Sequence, residues 1–147
     1  MTVNSMPGAE QTGAQVWNVP MVKNDTSVTY SALPHTHITS TNPGLIVTGM
    51  LTGCTTAIAR ISATELRICH IQPGGVRPAA EETQELIRLN GQMGGVEPTH
   101  FFGPQNYHHP NQKAHFIGVA VGGAWQLWGQ CFDGGSGRMI TQLTRII

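Results

Sequence analysis

The sequence predicts an α+β protein, a single domain of two packed β-sheets, mixed or antiparallel, with one clear flanking helix and long loops. Three observations predict this class. Short apolar runs separated by glycine or polar residues occupy residues 44–72, as is typical of strands. The last third of the chain has alternating apolar residues on both sides of Gly122-Gly123, which is a strong hairpin signal. Residues 78–91 carry the start and stop signals of a helix.

Length, charge and cysteine content limit the classes of protein to which the chain can belong. At 147 residues the chain is long enough for one domain with a sizeable core. Only 11% of the residues are charged, and 8 Lys and Arg balance 8 Asp and Glu, so we expect neither a nucleic acid nor a membrane as partner. The three cysteines, an odd number without metal-ligand spacing, indicate a reducing compartment and no disulfide framework.

The N-terminal part of the chain predicts short strands after a polar start. Residues 1–14 are small and polar and lack the features of a signal peptide, so we predict a mobile tail followed by a single domain at residues 15–147. Two strands are predicted next, at residues 16–22 and 27–30. Pro20 places the first of them at a sheet edge. His35 and His37 point the same way on a third strand, as half of a metal site would, but no further ligands stand at a suitable spacing and we predict no metal.

A glycine loop and the strands around it hold the residues of chemical interest. Three strands are predicted here, at residues 45–47, 57–61 and 66–72. Cys54 lies in the loop between the first two, where Gly53 allows a ligand to approach the backbone. His70 shares one face of the third strand with Leu66 and Ile68. A thiol in a loop and a histidine on the next strand are how a nucleophile meets its base; a buried inert cysteine and a core histidine are the alternative.

Two further features of this region favour catalysis. The backbone N–H groups of the loop at residues 51–54 are placed to hold an oxyanion. Thr48 offers a hydroxyl and a carbonyl group that can orient an imidazole. We therefore predict three catalytic residues, Cys54, His70 and Thr48, and three loop residues of the oxyanion site, Leu51, Thr52 and Gly53.

The predicted helix is followed by a long loop. Pro78 fits the first helical position, Glu81 and Glu82 lie near the positive N-terminal end, and a glycine follows the last turn. Residues 91–113 are rich in Gly, Pro, Asn and Gln. They predict a long loop that either borders the active site or is a mobile surface segment.

The C-terminal third predicts a meander of strands. Three strands are expected, at residues 114–121, 124–132 and 138–146. Alternation puts Trp125, Leu127 and Cys131 on one face of the middle strand, and Trp128 and Phe132 on the other. Because both faces carry aromatic side chains, we expect this sheet to be covered on both sides, with Cys131 as an inert core residue.

The order of these features resembles the protein-glutamine deamidases, which include the chemoreceptor deamidase CheD, the Burkholderia lethal factor and the cytotoxic necrotizing factor toxins. Thr48 stands six residues before Cys54, and His70 follows sixteen residues after it. Residues 51–54 are Leu-Thr-Gly-Cys, where the toxins carry Leu-Ser-Gly-Cys. The similarity to CheD extends to a proline soon after His70, one helix, and a late Gly-Gly-Ser-Gly-Arg turn at residues 134–138.

The resemblance implies a CheD-like or necrotizing-factor-like fold, with residues 15–147 as the catalytic domain. It also implies a cysteine-dependent amidohydrolase that converts a glutamine of another protein to glutamate. Cys54 attacks the carboxamide, His70 acts as acid and base, and Thr48 holds the imidazole. No cofactor is required, the partner is the substrate protein, and the chain is a monomer. The toxins suggest a virulence effector exported from a bacterium without a visible signal peptide and active in host cytoplasm; the bacterial cytoplasm is the alternative.

The predicted mechanism also specifies an ionisation state. A nearby His70⁺ would hold the pKa of the Cys54 thiol well below its ordinary value of about 8.5. Cys69, on the opposite strand face, would not share this shift. Three alternatives stay open: another thiol hydrolase such as a cysteine protease, a transglutaminase that uses the same thioester, and a non-catalytic β-rich binding module in which Cys54 and His70 are core residues.

Overall fold

Strands account for all the regular secondary structure in the described part of the chain. The computed structural model describes residues 15–23, 33–72, 92–133, 135 and 139–147. Ten strands lie in these ranges: β1 (Trp17–Val19), β2 (Met21–Lys23), β3 (Thr36–Ile38), β4 (Leu45–Thr48), β5 (Thr55–Arg60), β6 (Leu66–Gln72), β7 (His100–Phe102), β8 (Gln112–Val121), β9 (Ala124–Asp133) and β10 (Ile140–Arg145). None of the described residues forms a helix with the length and hydropathy needed to cross a bilayer.

The strands form two mixed five-stranded sheets. Sheet A has the order β1-β4-β8-β9-β10, and sheet B has the order β2-β6-β5-β7, with β3 also paired to β6. Each sheet has one parallel pair, β1 with β4 and β2 with β6. The remaining pairs are antiparallel. Strands β3 and β2 share one edge of β6, because β3 pairs with its first half and β2 with its second half.

A single proline moves the chain from one sheet to the other. The predicted strand at residues 16–22 is two strands, β1 in sheet A and β2 in sheet B, separated by Pro20. Proline has no N–H to donate to a sheet ladder, so one pairing ends there and another begins. The register places Val19 beside Thr48 in sheet A and Met21 beside His70 in sheet B. The crossing therefore lies next to two of the predicted site residues.

Apolar residues cover both faces of sheet B. The larger cluster lies between the sheets and draws on both of them, with Ile46, Ile58, Ile68, Phe116, Trp125 and Leu127 among its members. The smaller cluster lies on the other face of sheet B and includes Ala57, Ala59, Cys69 and Ile71. Strand β5 is consequently buried along almost its whole length, which explains its nearly continuous run of small and apolar residues.

The predicted α+β class is wrong, because the described chain is all-β with two mixed sheets. That class depended on a helix at residues 78–91, and these residues lie outside the described part, as do residues 1–14 and 27–30. The helix signals are local, whereas the sheets depend on pairing between distant segments such as β1 with β4 and β7 with β5. Local signals therefore could not give the class of the whole chain.

Several strand predictions are confirmed. Strand β6 has the predicted bounds. The Gly122-Gly123 turn joins β8 to β9, and both glycines have positive φ, 61° and 79°, as a two-residue hairpin turn requires. Trp125, Leu127 and Cys131 share the buried face of β9. The expected cover on both sides is not seen for β10, which is exposed along most of its length.

The predicted loop at residues 91–113 is only partly correct, because it contains β7 and the first residues of β8. Phe102 explains why a strand forms there. Its ring is buried against Gly129 of the opposite sheet, where a Cβ would lie 2.2 Å from the ring. The ring can take this position only because residue 129 has no side chain, so the contact depends on two residues that lie far apart in the sequence.

Candidate active site

The fold brings the three predicted catalytic residues into the space between the two sheets. Thr48 ends β4 in sheet A, His70 lies in β6 of sheet B, and Cys54 immediately precedes β5. His70 is 0% exposed and Cys54 is 4% exposed, while Thr48 is half-buried. The side chains of Cys54 and His70 are therefore shielded from solvent.

Thr48 connects His70 to the chain crossing at Val19. The Thr48 hydroxyl donates to the carbonyl oxygen of Val19 at 2.5 Å and lies 2.7 Å from Nδ1 of His70. A hydroxyl has one proton. Since Val19 accepts that proton, Nδ1 of His70 must donate its own N–H to Thr48. The neutral imidazole therefore carries its free lone pair on Nε2, where a general base needs it.

Cys54 and His70 face the same side of sheet B without a hydrogen bond between them. Thr56 lies directly opposite His70 in the β5–β6 pair, and Cys54 comes two residues earlier. Residues two apart on a strand share a face, and diagonal neighbours in an antiparallel pair lie about 7–8 Å apart. Nε2 of His70 is buried and has no hydrogen-bond partner in the described part of the chain. Catalytic hydrogen bonds often tighten only when substrate binds.

Burial determines the charge state of this pair. It raises the pKa of the Cys54 thiol above its ordinary value, and a backbone hydrogen bond from Thr52 offsets this only in part. Burial also lowers the pKa of His70 to about 4. Both groups are therefore neutral at pH 7, and the expected low pKa for Cys54 is wrong. Removal from water disfavours each charged form, and no hydrogen bond joins the two groups to compensate.

Tyr107 fixes the loop that carries Cys54. Its buried hydroxyl accepts the N–H of Gly53 at 2.8 Å and donates to the carbonyl oxygen of Cys54 at 2.9 Å. Gly53 has a φ of 116°, in a region that favours glycine. Leu51, at the start of the loop, exchanges two backbone hydrogen bonds with Ala114 of β8. Both ends of the loop are thus attached to neighbouring segments.

These contacts correct the predicted oxyanion site. The N–H groups of Leu51 and Gly53 are occupied by Ala114 and Tyr107, so neither is free to bind an oxyanion. The backbone of Thr52 lies near the sulfur of Cys54 and lowers the pKa of its thiol. Among the predicted loop residues, Thr52 is therefore the one whose backbone N–H is the candidate to meet an oxyanion.

Sequence reasoning identified neither Tyr107 nor the carbonyl group of Val19. The signal for Tyr107 is an aromatic residue in a segment rich in Gly, Pro and Asn that is expected to border the site. A backbone carbonyl group such as that of Val19 gives no signal in a sequence, because every residue has one. Its role follows only from the register of β1 with β4.

We expect Tyr107→Phe to lower the free energy of unfolding by about 1–3 kcal/mol, because it leaves two buried backbone groups without a partner. The ring would remain, so its tilted contact with Phe102, at 5.8 Å between centroids, is kept. Urea denaturation followed by fluorescence measures the change. The loosened loop should also make Cys54 react faster with iodoacetamide.

Thr56→Val is a matched control for this variant. Thr56 is fully buried, and its hydroxyl donates one hydrogen bond to the carbonyl oxygen of Phe102 at 3.2 Å, whereas the Tyr107 hydroxyl bonds the backbone of Gly53 and Cys54. A comparable loss of stability is expected with no change in the labelling of Cys54. Equal unfolding midpoints for wild type and Tyr107→Phe would contradict the role assigned to the tyrosine hydroxyl.

His35 and His37, which the sequence offered as half of a metal site, contact protein groups instead. Nδ1 of His35 donates to the carbonyl oxygen of Leu33 at 2.7 Å, and its Nε2 accepts from Arg67 at 3.1 Å. Nε2 of His37 lies 2.6 Å from a carboxylate oxygen of Glu65. Within the described residues, no group of three His, Cys, Asp or Glu side chains is arranged to hold a metal ion.

The fold and the site define a class, an all-β protein with a histidine and a cysteine enclosed between two mixed sheets. No protein-family model matches the chain, and no curated protein matches it. The function of Thr48, Cys54 and His70 is therefore inferred from their own chemistry.

Proposed function

We propose that the chain is a protein-glutamine deamidase that uses Cys54 as nucleophile and His70 as general base. The observation that carries this proposal is the bond from His70 to Thr48. It fixes the tautomer with the lone pair on Nε2, in the enclosed space that also holds Cys54. Nε2 of His70 is buried and has no hydrogen-bond partner among the described residues, although buried polar atoms are normally hydrogen-bonded, so its lone pair is available to a neighbouring thiol or substrate.

The neutral state of the pair changes the expected first step. Nε2 of His70 removes the thiol proton of Cys54 as the sulfur attacks the carboxamide carbon of glutamine, so no thiolate is required beforehand. The C–S bond forms, and the oxyanion is met by the N–H of Thr52. His70 then gives the proton to the amide nitrogen, the C–N bond breaks, and ammonia leaves.

Hydrolysis of the thioester completes the reaction. Nε2 of His70 takes a proton from water, the new C–O bond forms, and the C–S bond breaks. The sulfur recovers the proton, and the product is glutamate. Thr48 holds the ring throughout, because its hydroxyl donates a hydrogen bond to the carbonyl oxygen of Val19 and accepts one from the Nδ1–H group of His70. The reaction uses no cofactor.

Two observations bear on the alternatives. The sheltered positions of Cys54 and His70, and the raised pKa of the thiol, favour a second candidate, a β-rich binding module in which both are core residues. A papain-like protease is disfavoured, because Cys54 precedes strand β5 instead of the helix N-terminus that commonly activates such a thiol.

The substrate we propose is another protein. If the resemblance to the toxins holds, the substrate is a host protein and the chain is an exported effector that acts in host cytoplasm. If the resemblance to CheD holds, the reaction takes place in the bacterial cytoplasm. A protein substrate suits an enclosed site, since binding energy from residues around the glutamine can open the space between the sheets and align the carboxamide.

Mass spectrometry tests the proposal directly. The protein is incubated with a host-cell extract and with a bacterial extract, and peptides that change from Gln to Glu are identified in comparison with Cys54→Ala. A primary amine added in parallel separates hydrolysis from transglutamination, since the amine would be found on the product. No converted glutamine in either extract, with Cys54 alkylated as slowly as Cys131, would favour the binding module.

A further inference from the structure

The rim next to the enclosed site is formed by two exposed methionines and a glycine. Met21 is 52% exposed and Met50 is 42% exposed. Gly49, which is exposed, lies between Thr48 and Met50 in the chain. We refer to Met21, Gly49 and Met50 as the methionine rim. It adjoins the residues of the site, because Met21 pairs with His70 and Gly49 follows Thr48 in the chain.

Met21 bridges the seam between the two sheets at this point. It pairs with His70 in the parallel β2–β6 register, so their side chains leave the same face of sheet B. Its side chain reaches across to sheet A and lies over Gly49, where a Cβ would be 3.7 Å from Sδ and 3.8 Å from Cγ and Cε. Gly49 directly follows Thr48, the partner of His70. The Met21 side chain therefore lies over the seam beside the Thr48–His70 pair.

The chemistry of the rim suits an apolar partner that displaces a flexible side chain. Methionine is unbranched and polarizable, and it adapts to different apolar surfaces at low cost. Contiguous exposed apolar residues commonly mark an interaction site. Within residues 15–23 and 44–54, which carry the rim, the single charged side chain is Lys23. A basic residue beside the target glutamine would find no carboxylate partner in these two segments.

We propose that the methionine rim is the recognition surface of this site and that it selects a glutamine flanked by a large apolar residue. The apolar side chain of the substrate packs on Met21 and Met50 and moves Met21 away from Gly49. The carboxamide then enters between the sheets toward Cys54. This inference rests on the proposed deamidase function and adds a substrate class to it.

Peptides that differ only beside the glutamine test the inference. Three peptides carry leucine, serine or lysine next to one glutamine, and ammonia release gives kcat and KM. Wild type should prefer the leucine peptide over the other two by about tenfold in kcat/KM, the scale of a small change in an apolar contact. Met21→Ala and Met50→Ala should remove most of this preference by raising KM for the leucine peptide, and Met21→Leu should retain it.

Met139→Ala is the matched control, because Met139 is 67% exposed and stands before β10, on sheet A at the edge opposite β1. It should leave all three peptides unaffected. Met21→Ala should also accelerate iodoacetamide labelling of Cys54 without any substrate, whereas Met139→Ala should not. This second readout depends on the rim covering the site and not on turnover.

The outcomes separate the two proposals. Equal turnover of the three peptides, unchanged in Met21→Ala, would overturn the proposal that the methionine rim selects the substrate, while leaving the deamidase function in place. Unchanged labelling of Cys54 in Met21→Ala would show that Met21 does not cover the site. Absence of ammonia release from every peptide, together with no converted glutamine in the extracts, would overturn the deamidase function and the substrate class with it.

Discussion

Replacing Cys54 by serine or alanine should lower the rate of glutamine deamidation by roughly four to six orders of magnitude, the usual cost of removing a nucleophile. Serine differs by one atom, but its hydroxyl is a far weaker nucleophile, and the neutral His70 is a weak base at a pKa of about 4. The measurement is ammonia release from a protein substrate identified by mass spectrometry. Near-normal turnover in Cys54→Ser would end the mechanism proposed here.

Cys131→Ser is the matched control for this experiment. Cys131 is 0% exposed and belongs to the same core cluster as Cys54. A buried serine that lacks a good partner costs about 1–3 kcal/mol in either position. Both variants should therefore unfold at lower denaturant concentration than wild type, but only Cys54→Ser should lose turnover. Loss of turnover in both would indicate that general destabilisation, and not loss of the nucleophile, explains the effect.

Strand alternation predicted the two faces of β6 correctly, whereas the helix signals led to the wrong fold class. Spacing and strand alternation placed His70 with Leu66 and Ile68 on the face opposite Cys69, and the structure has that arrangement. Alternation works here because β6 is a regular strand with no bulge. The contact from Thr48 to His70 was expected from the resemblance and from the hydroxyl, although the two residues lie in different sheets.

The fold class was wrong because it gave weight to one local helix signal. Sheet order depends on which distant segments pair, and Pro20 shows how little of that is visible locally. The apolar pattern of residues 16–22 suggests one strand, yet Pro20 divides it between two sheets. The proline correctly predicted a strand at a sheet edge, but it did not predict that the chain changes from one sheet to the other at this point.

The charge states of Cys54 and His70 also could not be predicted from the sequence. A cysteine near a histidine predicts a thiolate when the pair is partly hydrated and hydrogen-bonded. Here both residues are enclosed by apolar side chains from two sheets, so desolvation dominates and each group stays neutral. The cluster that contains Cys54 also contains Phe116 and Leu127 of the other sheet, and this packing cannot be predicted from residues 44–72 alone.

The second large effect expected is loss of activity in His70→Gln, comparable in size to that of Cys54→Ser. A nucleophile and its base act as one unit, so the double variant should be no less active than either single variant. His100→Gln carries the same substitution on β7, away from Thr48 and Cys54, and should keep turnover within about tenfold, or 1.4 kcal/mol. If the losses in the two single variants multiplied in the double variant, Cys54 and His70 would be acting independently.

The same variant should change the pH dependence of stability. His70 has a pKa of about 4 in the folded chain and about 6.5 when unfolded. Between these values the unfolded chain binds more protons at this position, so stability falls as the pH falls from 6.5 to 4. The shift corresponds to about 3 kcal/mol at 1.36 kcal/mol per pKa unit.

Urea denaturation of wild type and His70→Gln over this pH range measures the effect. The free energy of unfolding lost on acidification should be smaller in His70→Gln by about that amount, while His100→Gln should follow wild type. Parallel curves for wild type and His70→Gln would mean that the imidazole is not held neutral between the sheets, and the assignment of Nε2 as the base would fail with it.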